Sequence, residues 1–326
     1  MDIEGPDQHT PEVKCFVCGG TFSFMLAQRD ILYHMSERYY AVYRCAGCGL
    51  LKILPEPTAD EIAGFYPEDY YSFRIEENTS GIARAREALK DEALRFYYGI
   101  PGGSKSRRLL ARCMSGYMSK EAISGVPLHP PRHNGRFLDI GCGDGYWVHK
   151  LGTYGWDCTG VEFVGEESDR IRVGDFMDMG FDSGFEFIRL NHVLEHVLDP
   201  DAYLARIRSL LCEGGELYLA VPNADGISFR VFGRYWSDLD APRHLHGFNM
   251  KSLAILLARN GLKARSVRFT SRYSFGNGLK NLVNEKIGIT IKDEQLLMSL
   301  VLSPLDVLMN LIGPGNLINV EAILLD

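Results

Sequence analysis

The chain predicts an α/β fold: a doubly wound, mostly parallel sheet with a small cysteine-bearing module in front of it. Three observations carry that reading. From Arg136 onward, apolar runs of strand length alternate with amphipathic helical stretches, the order that builds a parallel sheet with helices on both faces. The first of these runs passes into Leu138-Asp-Ile-Gly141-Cys-Gly143-Asp-Gly145, with glycine at every second position before a helix begins. Ahead of the sheet stand two C-x-x-C-G pentapeptides, Cys15–Gly19 and Cys45–Gly49. The length, 326 residues, suits one α/β domain of about 200 residues plus something smaller. Boundaries are expected at 1–80 for the module, 81–134 for a helical linker and 135–326 for the α/β domain.

Each pentapeptide can aim two thiolates at one metal ion, and its glycine lets the chain turn back so that N–H groups point at sulfur. Cys15, Cys18, Cys45 and Cys48 together suit a tetrahedral, closed and therefore structural zinc site. A redox pair or two disulfides are the alternatives, and neither explains why the pattern occurs twice. The 26 residues between the pairs are rich in aromatic and β-branched side chains and read as short strands of a zinc ribbon. Cys113, Cys142, Cys158 and Cys212 are scattered singly and read as buried small residues.

Charge bounds the partners. The whole net charge of −7 lies in residues 1–80, which hold 13 acidic against 6 basic side chains, while the remainder is neutral. Such a module fits a phosphate backbone poorly, because nucleic-acid affinity depends on Lys and Arg displacing counterions. The opening MDIEGPDQHT is polar and acidic, unlike a signal or transit peptide. The stretch Leu296 to Ile312 is broken by Ser299, Ser303, Pro304, Asp306 and Asn310, short of the roughly 20 apolar residues a span needs. A cytoplasmic protein without a membrane span is expected, with 296–312 serving as a buried or dimer-forming helix or as a peripheral membrane contact.

Elements follow in order. Thr58 with Glu61 makes a capping box that opens a short helix. Residues 81–123 carry charge and aliphatic groups at helical period, enough for two helices, and a Pro-rich stretch from Val126 to Asn134 leads into the sheet. Arg136 to Ile140 is the first strand, and Tyr146 to Tyr154 the first helix, stopped by Gly155. Cys158 to Phe163 is the second strand. Only Gly165 to Ile171 separates it from the third, at Val173 to Phe176, so the second crossover helix has one turn or two at most. Phe185 to Leu190 is the fourth strand; Asp199 caps a helix from Pro200 to Leu211, ended by Gly214-Gly215; Glu216 to Val221 is the fifth. Asn249 caps a helix closed by Gly261, and Arg265 to Thr270 and Asn319 to Leu325 are two final strands.

The chemistry centres on the glycine turn. Glycines tolerate φ > 0 and remove Cβ atoms that would block close approach, and the helix N-terminus behind them offers free N–H groups. A tight turn with no ligand is the plain alternative. Glu162 lies 21 residues past Gly141, the distance at which doubly wound folds place the carboxylate that holds ribose hydroxyls.

With its acid two residues ahead of the first glycine, this G-x-G-x-G turn resembles motif I of the class I S-adenosylmethionine (SAM)-dependent methyltransferases. The resemblance implies a seven-stranded sheet of order 3-2-1-4-5-7-6, its last two strands antiparallel. It also implies cofactor contacts at Asp139, Gly141, Cys142, Gly143, Glu162, Asp175, Phe176, Asn191 and His192, with Asp175 at the position that reaches the adenine amino group. Leu194-Glu-His-Val-Leu-Asp-Pro200 is similar to a segment of that family that holds no metal. The same stretch, from His192 to His196, spells H-x-x-E-H, an inverted zinc-peptidase signature that requires both histidines on one helical face.

Two clusters qualify for proton removal from the acceptor: Glu195-His196, and the loop Trp236 to Phe248. The loop resembles the W-x-x-L-x-x-P-R-H-L-x-x-F segment of a methyltransferase subgroup in polysaccharide and nucleotide-sugar pathways. His244 is the first choice of base, with His246 and His196 behind it, and Arg243 is suited to clamp a phosphate or carboxylate. The resemblance covers residues 15–76 and 136–326, zinc ribbon included. It implies methyl transfer to a hydroxyl or amine of a glycan, nucleotide sugar or small metabolite. A zinc-ribbon RNA methyltransferase and a non-catalytic SAM-binding scaffold are the rival readings.

Overall fold

The computed structural model describes residues 12–66, 81–100, 125–271, 274–288, 306, 308 and 314–325. The second helix expected before the sheet, over 106–123, lies outside the described residues, as do Cys113 and nearly all of 296–312. The chain divides into two compact units: Met1–Glu68, His192–Arg208 and Leu219–Asp326 form one, and Asp69–Asn191 with Ser209–Tyr218 form the other. They are called here the histidine unit and the glycine-turn unit.

The seven-stranded sheet comprises β4 (Arg136–Ile140), β5 (Asp157–Glu162), β6 (Ile171–Val173), β7 (Phe185–Asn191), β8 (Leu211–Pro222), β10 (Leu262–Thr270) and β11 (Leu317–Leu324). Their order is β6-β5-β4-β7-β8-β11-β10, the expected 3-2-1-4-5-7-6. β4 pairs parallel with β5 and β7, β5 pairs parallel with β6, and β10 runs antiparallel to β11.

Several boundaries differ from the sequence reading, those of the third and fifth strands among them. The third strand begins at Ile171, and residues 163–170 hold no helix: Ser168 turns the chain by accepting from Ile171 N–H instead. β8 starts at Leu211, five residues early, because Leu210 ends its helix and the strand runs on through Gly214 and Gly215.

In the glycine-turn unit, Phe137 and Phe187 stack across β4 and β7 at 5.9 Å, with Trp156, Val148 and Leu151 buried behind them. Glu186 gathers the Pro-rich linker by accepting from the N–H groups of Arg132, His133 and Gly135. Helix α2 (Gly81–Tyr97) docks on α3 (Tyr146–Gly152): Glu87 accepts from the Tyr146 hydroxyl at 2.6 Å and from Lys150 at 2.9 Å, and Trp156 Nε1 donates to the Tyr98 hydroxyl.

In the histidine unit a four-stranded sheet has the order β1 (Phe22–Gln28), β2 (Tyr40–Cys45), β3 (Leu51–Ile53) and β9 (His246–Gly247). All its pairings are antiparallel, and the fourth strand comes from the loop that carries the histidines: Leu51 faces Gly247 and Lys52 faces His246. Tyr40, Val42, Leu51 and Ile53 share one buried cluster with Phe229, Trp236 and Leu239. Helix α1 (Ala59–Ala63) has the expected capping box. So does α6 (Met250–Arg259), where Asn249 accepts from Ser252 N–H; it follows α4 (Pro200–Leu210) and α5 (Ile227–Phe232) in the chain. Each such cap satisfies an orphan donor and contributes about 1 kcal/mol.

Candidate active site

The glycine turn is a backbone construction. Gly141, Gly143 and Gly145 have φ of 71°, 57° and 72°, values that L side chains rarely adopt. Gly141 and Cys142 N–H both donate to Val161 O, folding the turn over β5. At Gly145, which caps α3 without a side chain, an added Cβ would lie 2.4 Å from Ile171 Cδ1. The Cys142 sulfur points inward, 2.8 Å from where a Cβ on Gly160 would sit, and burial pushes its thiol up. The turn therefore offers its backbone and not its cysteine.

Glu162 is brought to this turn. Its carboxylate accepts from Gly143 N–H at 2.7 Å and from Phe163 N–H at 2.9 Å, and burial raises its pKa. Asp139 lies beneath, fully buried, with Oδ1 accepting from Arg189 Nη1 at 2.8 Å in the parallel register that sets the two residues opposite each other. Burial raises the pKa of Asp139 too, against the pull of Arg189. Asp175 is exposed and accepts from Met177 N–H, and Asn191 is the last residue of β7. Phe176 is 2% exposed, its ring packed on Phe181.

The histidine unit holds the titratable cluster. H-x-x-E-H does not form a helix here: His192 has φ of 56° and residues 192–196 make a turn, so the two histidines lack the shared helical face a zinc peptidase needs. Glu195 is 0% exposed, with His192 Nδ1 at 3.3 Å, outside hydrogen-bond alignment. Burial opposes its ionisation, but His192, His196 and His244 together outweigh burial and hold the carboxyl at about 2. The Glu195 main-chain carbonyl accepts from Leu245 and His246 N–H, tying this turn to the loop.

His244 and His196 meet edge to face, with ring centroids 4.5 Å apart. His244 Nδ1 lies 2.8 Å from Asp238 O, which can only accept. Nδ1 is therefore the protonated nitrogen of the neutral ring, and Nε2 keeps its lone pair. His196 Nδ1 sits between the Tyr66 hydroxyl at 3.0 Å and Arg243 O at 3.2 Å. Burial holds His196 at about 4 and lowers His244, so both are neutral at physiological pH. Asp238 beside them is pushed up to about 6 by burial.

Two expected residues are displaced from chemistry. All five N–H groups of Arg243 are already used: Nε on Asp240, Nη1 on Asp30 and Phe65 O, Nη2 on Asp30 and Asp240. At 0% exposed it has no donor left to clamp an acceptor. His246 is 1% exposed in β9, its Nε2 3.0 Å from Val197 O and its ring against Phe16 and Phe248. Burial takes its pKa down to about 3, and the strand fixes it as a packing residue. Sequence reasoning missed Tyr66, Asp30 and Asp240. The i,i+3 spacing of Asp240 and Arg243 was the one local signal; nothing local ties Asp30 to Arg243 or Tyr66 to His196.

The four cysteines converge. Sγ atoms of Cys15 and Cys48 are 3.7 Å apart, those of Cys18 and Cys45 3.4 Å, and all four lie within 4.8 Å of one another. Tetrahedral zinc with bonds near 2.3 Å sets its sulfurs about 3.8 Å apart, so the geometry fits. Backbone N–H groups of Val17 and Cys18 point at Cys15, that of Gly20 at Cys18 and that of Leu50 at Cys48. A Cβ on Gly47 would lie 2.8 Å from Cys18 Sγ, which is why glycine stands there.

Comparison with known proteins bears on the same segments. The family model described as a methyltransferase domain matches residues 110–267, which include the glycine turn, Glu162 and the histidine loop. The chain is 23% identical over 179 residues to the human mitochondrial ubiquinone biosynthesis O-methyltransferase, and spans about half the length of that relative (46% of this chain, 48% of the other). It is similar to a SAM-dependent methyltransferase of Archaeoglobus fulgidus (17% identity, 68% of this chain and 94% of the other, TM-score 0.39). It is also similar to the Burkholderia thailandensis 1,6-didemethyltoxoflavin-N1-methyltransferase (14% identity, 90% and 98%, TM-score 0.43). Among the described residues, no helix is long and apolar enough to cross a membrane.

Proposed function

We propose that the protein is a SAM-dependent methyltransferase that methylates a hydroxyl or amine of a glycan, nucleotide sugar or related small metabolite. The observation that carries this reading is the bare glycine turn with Glu162 folded onto Gly143 N–H, inside a segment that matches a methyltransferase domain. The residues fit the cofactor: the glycines leave the backbone of the turn open to close approach, and Glu162 keeps lone pairs free to accept from ribose hydroxyls. When bound, SAM supplies an electrophilic methyl group on its sulfonium. His244 Nε2 takes the proton of the acceptor's hydroxyl or amine, and the bond from Nδ1 to Asp238 O fixes the tautomer that makes this available. His196, edge-on to His244, holds it in that orientation. Because burial lowers His244, its neutral form predominates at pH 7.

Zinc bound by Cys15, Cys18, Cys45 and Cys48 completes the reading as a structural metal whose binding energy stabilises the module. Elemental analysis should give one zinc per chain, and none after Cys45→Ser.

The acceptor is reached by one experiment. Labelled methyl from SAM is offered to the protein with fractionated cell extract, and the labelled product is read by mass spectrometry. Label in a sugar-containing or small hydroxylated metabolite is expected. Label confined to RNA would overturn the substrate class, and no transfer to any fraction would overturn the activity.

A further inference from the structure

Asp30 lies in the cysteine module, just past β1, 213 residues from Arg243. Its side chain is fully buried and fixed by three backbone donors: Leu32 N–H at 3.3 Å, Tyr33 N–H at 3.1 Å and Met35 N–H at 2.9 Å. It takes Arg243 with both oxygens, at 2.9 and 2.7 Å. Gln28, at the end of β1, holds the same loop from two sides, donating to Arg234 O and accepting from Ala241 N–H. The loop residue gripped in this way offers its own carbonyl to His196 and is followed directly by His244.

A buried Arg between two carboxylates is an inefficient way to gain stability, since apolar side chains of similar volume usually do as well or better. What such a triad does supply is one position and one register. Two contacts point to a use for that. β3 takes the far end of the loop as its neighbour, and Phe16, between the first two cysteines, lies 5.2 Å from the His246 ring.

We propose that Asp30 is a positioning residue: through Arg243 it sets the geometry of the His196–His244 pair, which makes the cysteine module a working part of the acceptor side. The proposal rests on His244 being the proton acceptor. The other titratable or charged groups around the two imidazoles are Tyr66, His192, Glu195, Asp238, Asp240 and Arg243 itself.

The test is Asp30→Asn, read by NMR titration of the His196 and His244 imidazoles and by calorimetry with S-adenosylhomocysteine. Charge loss and loop release have opposite signs here. Removing an anion while Arg243 stays in place would push both imidazoles further down. Releasing the loop to water returns them toward 6.5, by at least about half a pH unit. The rise is expected, with binding of S-adenosylhomocysteine kept within about threefold. A fall, or no change, would overturn the proposal. Where Asp30→Asn fails to fold, the charge-neutral D30N/R243Q pair replaces it, read by labelled methyl incorporation into the active extract fraction. A drop of at least about thirtyfold in kcat with KM nearly unchanged supports positioning. An unchanged rate, or failure of both variants to fold, assigns the triad to stability alone. Neither the titration nor product binding needs the acceptor, so loss of the methyltransferase reading and loss of this one are told apart.

Discussion

The glycine turn and the histidine loop are built in opposite ways. The turn is local: three glycines within five residues, a helix starting behind them, and one carboxylate from the next strand resting on Gly143 N–H. The loop is assembled from a distance. His244 depends on Asp238 O nearby, but its neighbour Arg243 is held by Asp30 and by Phe65 O, and His196 is met by Tyr66 across 130 residues. A site made of backbone needs only short-range sequence, whereas a site made of oriented imidazoles needs a scaffold. The cysteine module is part of that scaffold, since β9 completes its sheet.

The contrast breaks most sharply at Gly143. A valine there must adopt φ of 57° and places a Cβ where the ligand would lie against backbone. Affinity for S-adenosylhomocysteine should fall by more than about 100-fold, with far-UV circular dichroism unchanged.

Arg243→Ala comes next in size. It leaves Asp30 and Asp240 buried without their cation, and removing one member of such a group costs about 3–5 kcal/mol. Chemical denaturation should show a loss of that order, and a cost below about 1 kcal/mol would mean that the triad is hydrated in solution.

His244→Ala is expected to lower kcat by about 10²–10⁴-fold while S-adenosylhomocysteine affinity stays the same. An equal rate would move the base to another residue.

The smallest effect separates a base from a packing residue. His246 has a folded pKa of about 3 against 6.5 unfolded, so between those values the unfolded chain binds the extra proton. Its neutral form contributes stability above pH 6.5 that is lost as pH falls toward 3, and His196 adds a second proton down to about 4. His246→Phe should flatten the dependence of stability on pH in this window by one proton. It should change kcat by less than about threefold. A large rate loss would return His246 to the chemistry.

These regions differed in legibility for the same reason they differ in construction. The strand–helix alternation, the turn, Glu162 at its 21-residue spacing, the Thr58 and Asn249 caps and the paired cysteines are recurrent local patterns legible along the chain, whereas the sheet order came with the family resemblance. Arg243 read as a clamp because Pro-Arg-His in a loop looks solvent-facing. Its five donors are consumed by partners that only folding brings near. His246 failed similarly, since a histidine in a loop carries no mark of which side it faces. The segment 163–170 lacks even a short helix because Gly165, Ser168 and Asp169 favour turns over a helical run.

The central claim is that the glycine turn binds the cofactor. Titration calorimetry of S-adenosylhomocysteine into the wild-type protein, with Gly143→Val run beside it, tests this most directly. One site per chain for the wild type and no detectable heat for the variant is the expected result. Absence of heat in both, or equal affinity in both, would contradict the account.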